Sequence, residues 1–180
     1  MSLSSTAEHT HSPTLRAGSV RVSRQIKASP ERVFDAWLDA KEARAFLFAD
    51  RTSEALSSEV DARVGGRFRI VRRWDGGTVE YWGEYLEIDR PYRLAFSLFV
   101  EKHGQRDDRV VVEIAPVGGE SLLVMTHEHS LPSQAESARI QGAWTTVLDG
   151  LAASCSESAS RGPRPCPPAR AITPWDADFV

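Results

Sequence analysis

Between Val60 and Phe96 the chain reads VDARVGGRFRIVRRWDGGTVEYWGEYLEIDRPYRLAF, an order of residues that few folds tolerate. The pairs Gly65-Gly66 and Gly76-Gly77 interrupt runs in which apolar and polar residues alternate. Alternation at period two sends successive side chains to opposite faces of a strand, and paired glycines supply the φ > 0 positions of tight reversals. The stretch therefore predicts consecutive antiparallel hairpins, with Phe68 and Ile70 facing inward and Asp75-Gly76-Gly77 as the strongest turn. From Val79 to Ile88 both faces are partly apolar: Trp82, Leu86 and Ile88 lie on one side, Val79, Tyr81 and Tyr85 on the other. Alternation alone does not assign the buried side there. Gly83 inside that run predicts a bulge or a sharp bend, as a strongly curved sheet requires.

The rest of the chain supplies the partners of this ladder. Residues 1–19, rich in Ser, Thr and His, read as a disordered leader. Val20, Val22 and Ile26 form a first strand, with Arg24 on its apolar side and read as snorkelling from the sheet edge. Ser29-Pro30-Glu31 starts a helix by cap, first-turn proline and dipole, and Val33, Phe34 and Trp37 give it an apolar face. Asp39-Ala40 is a joint before a second short helix carrying Ala43, Phe46 and Leu47. Residues Ser53 to Val64 hold a weak strand. Three stronger strands follow: Leu94 to Val100, Val110 to Ile114, and a last one placing Leu123, Met125, His127 and His129 on one face. A charged loop from Glu101 to Asp108 separates the first two of these. Ser133-Gln-Ala-Glu136 is a capping box, and Ile140, Trp144, Val147, Leu148 and Leu151 then form one stripe on a long helix. Residues 155–180 are Pro-, Arg- and Ser-rich and read as a disordered tail, with Trp175 and Phe179 undocked.

This order is an α+β arrangement over residues 20–154. Two short helices follow strand one, and a curved antiparallel sheet of about six to seven strands lies around a long C-terminal helix. Where sheet and helix do not close completely, an apolar cavity with a few polar groups results. Its candidate lining is Trp37, Phe46, Phe68, Trp82, Phe96, Met125, His127 and Trp144; the alternative for the aromatic residues among them is a filled core.

Charge narrows the partners. A formal net charge of -3 gives no general attraction to nucleic acid, and the basic run Arg63, Arg67, Arg69, Arg72, Arg73 faces acidic residues that pair it across strands. No window approaches the roughly 20 apolar residues of a membrane span. The first residues carry no secretory core, and Cys155 and Cys166 form no CxxC or disulfide framework, so a reducing cytoplasm is the expected compartment. The sequence holds no G-x-S-x-G elbow, P-loop or dinucleotide fingerprint, and no catalytic residue, metal or cofactor is assigned. His127 and His129 have a spacing metals accept, yet neither Glu80 nor His103 is nominated as a third ligand. His127 alone is read as a polar group of the cavity.

Two motifs, Ile26-Lys-Ala-Ser-Pro30-Glu-Arg-Val33-Phe34-Asp-Ala-Trp37 and Asp61-Ala-Arg63-Val-Gly65-Gly66-Arg-Phe68-Arg, resemble the SRPBCC (START-like, pollen-allergen-like) superfamily. Within it, the stretch from Gly83 to Phe96 and Leu123-Val-Met125-Thr-His127-Glu resemble the homologues of the activator of the heat-shock-protein-90 ATPase. The resemblance runs from about Val20 to Leu151 and implies a helix-grip fold with a deep cavity. It implies a protein that holds an apolar or amphipathic small molecule. Its alternatives are a polyketide cyclase- or hydrolase-like enzyme, with His127 and Arg24 or Glu80 as acid–base groups, and a co-chaperone-like domain whose surface meets a protein partner or forms a homodimer.

Overall fold

The computed structural model describes residues 18–49, 53–74, 76–101, 108–129 and 133–159. The expected leader up to residue 17, the His103 region, Asp75 and the tail from residue 160 lie outside them.

In chain order the elements are β1 (Gly18–Ile26), α1 (Pro30–Leu38), α2 (Ala40–Phe46), β2 (Glu54–Val60), β3 (Arg67–Trp74), β4 (Gly77–Asp89), β5 (Arg93–Val100), β6 (Asp108–Val117), β7 (Glu120–His129) and α3 (Gln134–Ala159). The strands form one seven-stranded sheet in the order β1-β7-β6-β5-β4-β3-β2, antiparallel throughout. β1 and β2 are the two edges, so α1 and α2 carry the chain from one edge to the other. α3, about 39 Å long at 1.5 Å per residue, packs against β1, α1 and α2.

Local chemistry sets these elements. Ser29 Oγ accepts from the Arg32 backbone N–H and Pro30 begins α1. Asp39 ends α1 and caps α2, accepting from Lys41 and Glu42 N–H at 2.9 Å each, which explains the joint. At α3 Ser133 is the cap, with Glu136 N–H donating to Ser133 Oγ at 3.1 Å, while the Glu136 carboxylate accepts from the Ser133 hydroxyl at 3.0 Å rather than from its backbone N–H.

The glycines divide their work. Gly65 takes φ +77, while Gly66 is needed for space, since a Cβ there would meet the Asp61 backbone oxygen. At Gly83 a Cβ would land on the Ser97 carbonyl and the Phe68 ring, so this position is a close approach. The bulge itself lies two residues on, between Tyr85 and Glu87, where Leu86 is extruded to solvent. Before the bulge Val79, Gly83 and Tyr85 face inward; after it Ile88 does. The inner face of β4 is thereby assigned.

Two boundaries shift. β1 already begins at Gly18, where the sequence suggests leader to residue 19. α3 continues to Ala159, past the expected domain end at 154, and Cys155 is buried in the core. Only part of a basic run spanning β3 is solvated: Arg67, Arg69 and Arg73 pair with Glu84, Glu80 and Glu54 on the outer face. Arg72 turns inward and is 4% exposed. Arg24 behaves as an edge residue, meeting Asp149 of α3 at 2.8 Å with both side chains about half exposed.

Candidate functional site

Sheet and α3 close on each other at one end of their shared space and separate at the other. At the closed end Trp37 meets Phe46 edge-on with centroids 5.5 Å apart, and Phe68 meets Phe96 at 5.3 Å. Between Trp37, Leu47, Phe48, Phe68, Tyr85, Leu94 and Phe96 a void of about 10 Å³ remains, at the lower limit of what a single water needs. Burial pushes the Tyr85 phenol far above its ordinary range, with Asp61 adding to the shift.

At the other end a cavity of about 450 Å³ opens to solvent. Its sheet wall is Trp74, Tyr81, Leu98, Val100, Asp108 and His127; its helix wall runs from Arg139 to Val147 and includes Ile140, Gly142, Ala143, Trp144 and Thr146. Phe48 and Ala49, just beyond α2, close the third side.

Phe48 has φ +55, a left-handed conformation uncommon for a bulky residue. It is held by what surrounds it. Arg72 donates from Nη1 to the carbonyls of Arg44 (2.9 Å) and Leu47 (3.2 Å), satisfying the end of α2, and from Nε to Ser53 Oγ at 3.0 Å. The Phe48 ring then stacks on Tyr81 with centroids 4.0 Å apart and planes 5° off parallel, and meets Trp144 edge-on at 5.7 Å. Phe48 thus stands between the large cavity and the small void, lining both.

The polar part comes from strand register. Val110 of β6 is directly opposite His127 of β7, so Asp108, two residues before Val110 on the same face, is a diagonal neighbour of His127. Trp144 Nε1–H donates to His127 Nδ1 at 2.8 Å. An indole nitrogen only donates, so Nδ1 is the acceptor and the ring N–H sits on Nε2. Nε2 faces Asp108 Oδ2 at 3.2 Å but outside hydrogen-bonding alignment. Both His127 Nε2 and Asp108 Oδ1 are buried without a hydrogen-bond partner.

Of the expected cavity residues, the structure brings His127 and Trp144 to the open cavity. Trp37, Phe68 and Phe96 line the small void instead, and Phe46 and Met125 are filled core. Trp82 lines neither space. It lies on the outer face and stacks on its cross-strand neighbour Phe99, because the inner face of β4 takes Tyr81 and Gly83. Arg24 and Glu80, suggested as acid–base groups, are tied to Asp149 and Arg69 away from the cavity, and the Arg69 hydrogen bonds hold the Glu80 carboxyl below its usual range. His129 is fully buried with its ring perpendicular to His127 and its Nε2 3.4 Å from Ser137 Oγ. Among the described residues no three His, Cys, Asp or Glu side chains are placed to hold a metal ion. No helix among them is long and apolar enough to cross a membrane.

Asp108, Tyr81 and Trp74 are cavity residues that the sequence reading did not select. Parity points to Asp108 and Trp74, whereas both faces of the strand carrying Tyr81 are partly apolar. Asp108 continues the inward alternation of Val110 and Val112 backward, and Trp74 continues that of Phe68 and Ile70 forward.

Comparison with known proteins agrees with this architecture. The model of the family described as Activator of Hsp90 ATPase homolog 1-like protein matches residues 27–155. No curated protein is significantly similar to the chain. Among solved structures, protein CV1439 from Chromobacterium violaceum is 26% identical with a TM-score of 0.66, over 75% of this chain and 94% of that one. The AHSA1-like protein from Aeromonas hydrophila is 22% identical with a TM-score of 0.67, over 79% and 94%. Protein NE0264 from Nitrosomonas europaea, at 18% identity and TM-score 0.67 over 79% and 96%, has the same fold.

Proposed function

Because the chain belongs to the Activator of Hsp90 ATPase homolog 1-like family, we infer that it is a binding protein for an apolar or amphipathic small molecule held between sheet and α3. The observation that carries this reading is the cavity of about 450 Å³, walled mainly by aromatic and aliphatic side chains. Ligand sites typically have volumes of about 300–1,000 Å³ with a few placed polar groups. An aliphatic or aromatic body removed from water gains roughly 25 cal/mol per Å² of apolar surface.

Catalysis finds less support. The Trp144 indole occupies Nδ1 of His127, and Arg24 and Glu80 are paired with Asp149 and Arg69 away from the cavity.

Native mass spectrometry of freshly purified protein tests the binding reading. A co-purifying mass that is released on denaturation is expected. It should be lost from Thr146→Trp, which places an indole over the mouth from an exposed helix position. Equal occupancy in that variant, or no uptake of any apolar compound by either protein, removes the cavity as the binding site.

A further inference from the structure

Native structures leave few buried polar groups unsatisfied, and each such group asks for a cause. Here two stand on one cavity wall. His127 and Asp108 are 4% and 8% exposed and both residues line the cavity; Nε2 of His127 stands 3.2 Å from Asp108 Oδ2 without a hydrogen bond, and Nε2 and Asp108 Oδ1 are each shielded from solvent with no hydrogen-bond partner. Their polarity is opposite. Trp144 fixes His127 Nδ1 as acceptor, so Nε2–H is a donor, while Asp108 Oδ1 accepts.

A donor beside an acceptor, at the edge of an apolar space, matches a particular chemical group. A hydroxyl takes the Nε2–H on its oxygen and gives its own hydrogen to the carboxylate. A ligand carboxylate would set a second anion beside Asp108. An ammonium group would satisfy Oδ1 but offers no lone pair to Nε2–H. A pure hydrocarbon leaves both atoms unpaired. We propose that Asp108 and His127 together read a hydroxyl group. The ligand is then an uncharged alcohol or phenol whose hydrocarbon body lies against Phe48, Tyr81 and Trp144. This rests on the cavity being a binding site and adds its polar specificity.

Four probes of one skeleton separate the possibilities: naphthol, methylnaphthalene, naphthoate and naphthylmethylamine, titrated calorimetrically into the full chain. Naphthol should bind about tenfold more tightly than methylnaphthalene, the size of one good hydrogen bond to a charged group. In Asp108→Leu that advantage should vanish while methylnaphthalene binding is kept. In the near-isosteric Asp108→Asn, which serves if the leucine variant fails to fold, it should fall to about threefold. Equal binding of naphthol and methylnaphthalene overturns the hydroxyl proposal and leaves the cavity reading standing. Preference for naphthoate or naphthylmethylamine overturns it in favour of an ionic head group. No binding of any probe overturns both.

Discussion

The two ends of the space between sheet and α3 are built from similar residues and end in opposite states. At one end Trp37, Phe46, Phe68 and Phe96 interlock until about 10 Å³ is left; at the other, Phe48, Tyr81 and Trp144 enclose about 450 Å³. Aromatic content does not make the difference. At the closed end α1 and α2 supply a third layer that fills the gap. At the open end α3 presents Gly142, Ala143 and Thr146, and its large residue, Trp144, is held to one side by His127. A cavity here is the result of small side chains and one tethered indole.

The sharpest way to break this contrast is by truncation. Trp37→Ala should lower stability by about 3–5 kcal/mol, as for large aromatics in filled cores. Val100→Ala, on the cavity wall and partly exposed, should lower it by less than about 1.5 kcal/mol. Denaturant midpoints of the two variants decide; equal losses would mean that the open end is packed in solution. Next in size is Trp144→Phe, which keeps the ring bulk but leaves His127 Nδ1 buried without its donor. A loss of about 1–3 kcal/mol is expected, with altered ligand uptake, whereas an unchanged midpoint would show that the tether is not formed.

The closed end also has a signature in alkali. Burial pushes the Cys155 thiol up from 9.0 to about 11. A raised folded-state value favours the protonated form in the native protein, so its stabilising effect is full below pH 9 and lost as pH rises through 11. Tyr85, raised by the same cause, extends the decline upward. Cys155→Ala should flatten the stability curve between pH 9 and 11. A curve that keeps its slope would place the thiol in solvent. Smallest of all, Arg24→Ala should cost less than about 1 kcal/mol and nothing measurable at high salt, because its pair with Asp149 is at an exposed edge. A larger, salt-resistant loss would make that edge part of the core.

Much of this contrast was written in local pattern, and its exceptions have physical causes. The hairpin ladder, the Ser29 and Ser133 caps and the stripe from Ile140 to Leu151 are short-range features, and the structure has them where alternation and capping put them. Trp82 stands among the expected lining residues although both faces of its strand are partly apolar and alternation does not assign the buried side. Its neighbours decide that side, since Phe68 and the Ser97 carbonyl occupy the inner space at Gly83 and fix the parity of the strand. Asp108 looked like the end of a charged loop. Only the pairing of β6 with β7 brings it to His127, and a cross-strand register is not a property of either strand alone. Phe48 had no signal at all, because a left-handed phenylalanine after a helix is imposed by Arg72, Tyr81 and Trp144 from outside its own segment.

The Arg72 clasp has a consequence for how such a container diversifies. On the α2 side the wall hangs on a backbone conformation, a buried guanidinium and a ring stack that depend on one another, so a change at any one disturbs the rest. Across the opening, Gly142, Ala143 and Thr146 are exposed, and nothing stands within 4 Å of where a Gly142 side chain would begin. Pocket volume can therefore drift through three helix positions without touching the frame. Related chains that share this clasp should differ in cavity volume chiefly at those three positions.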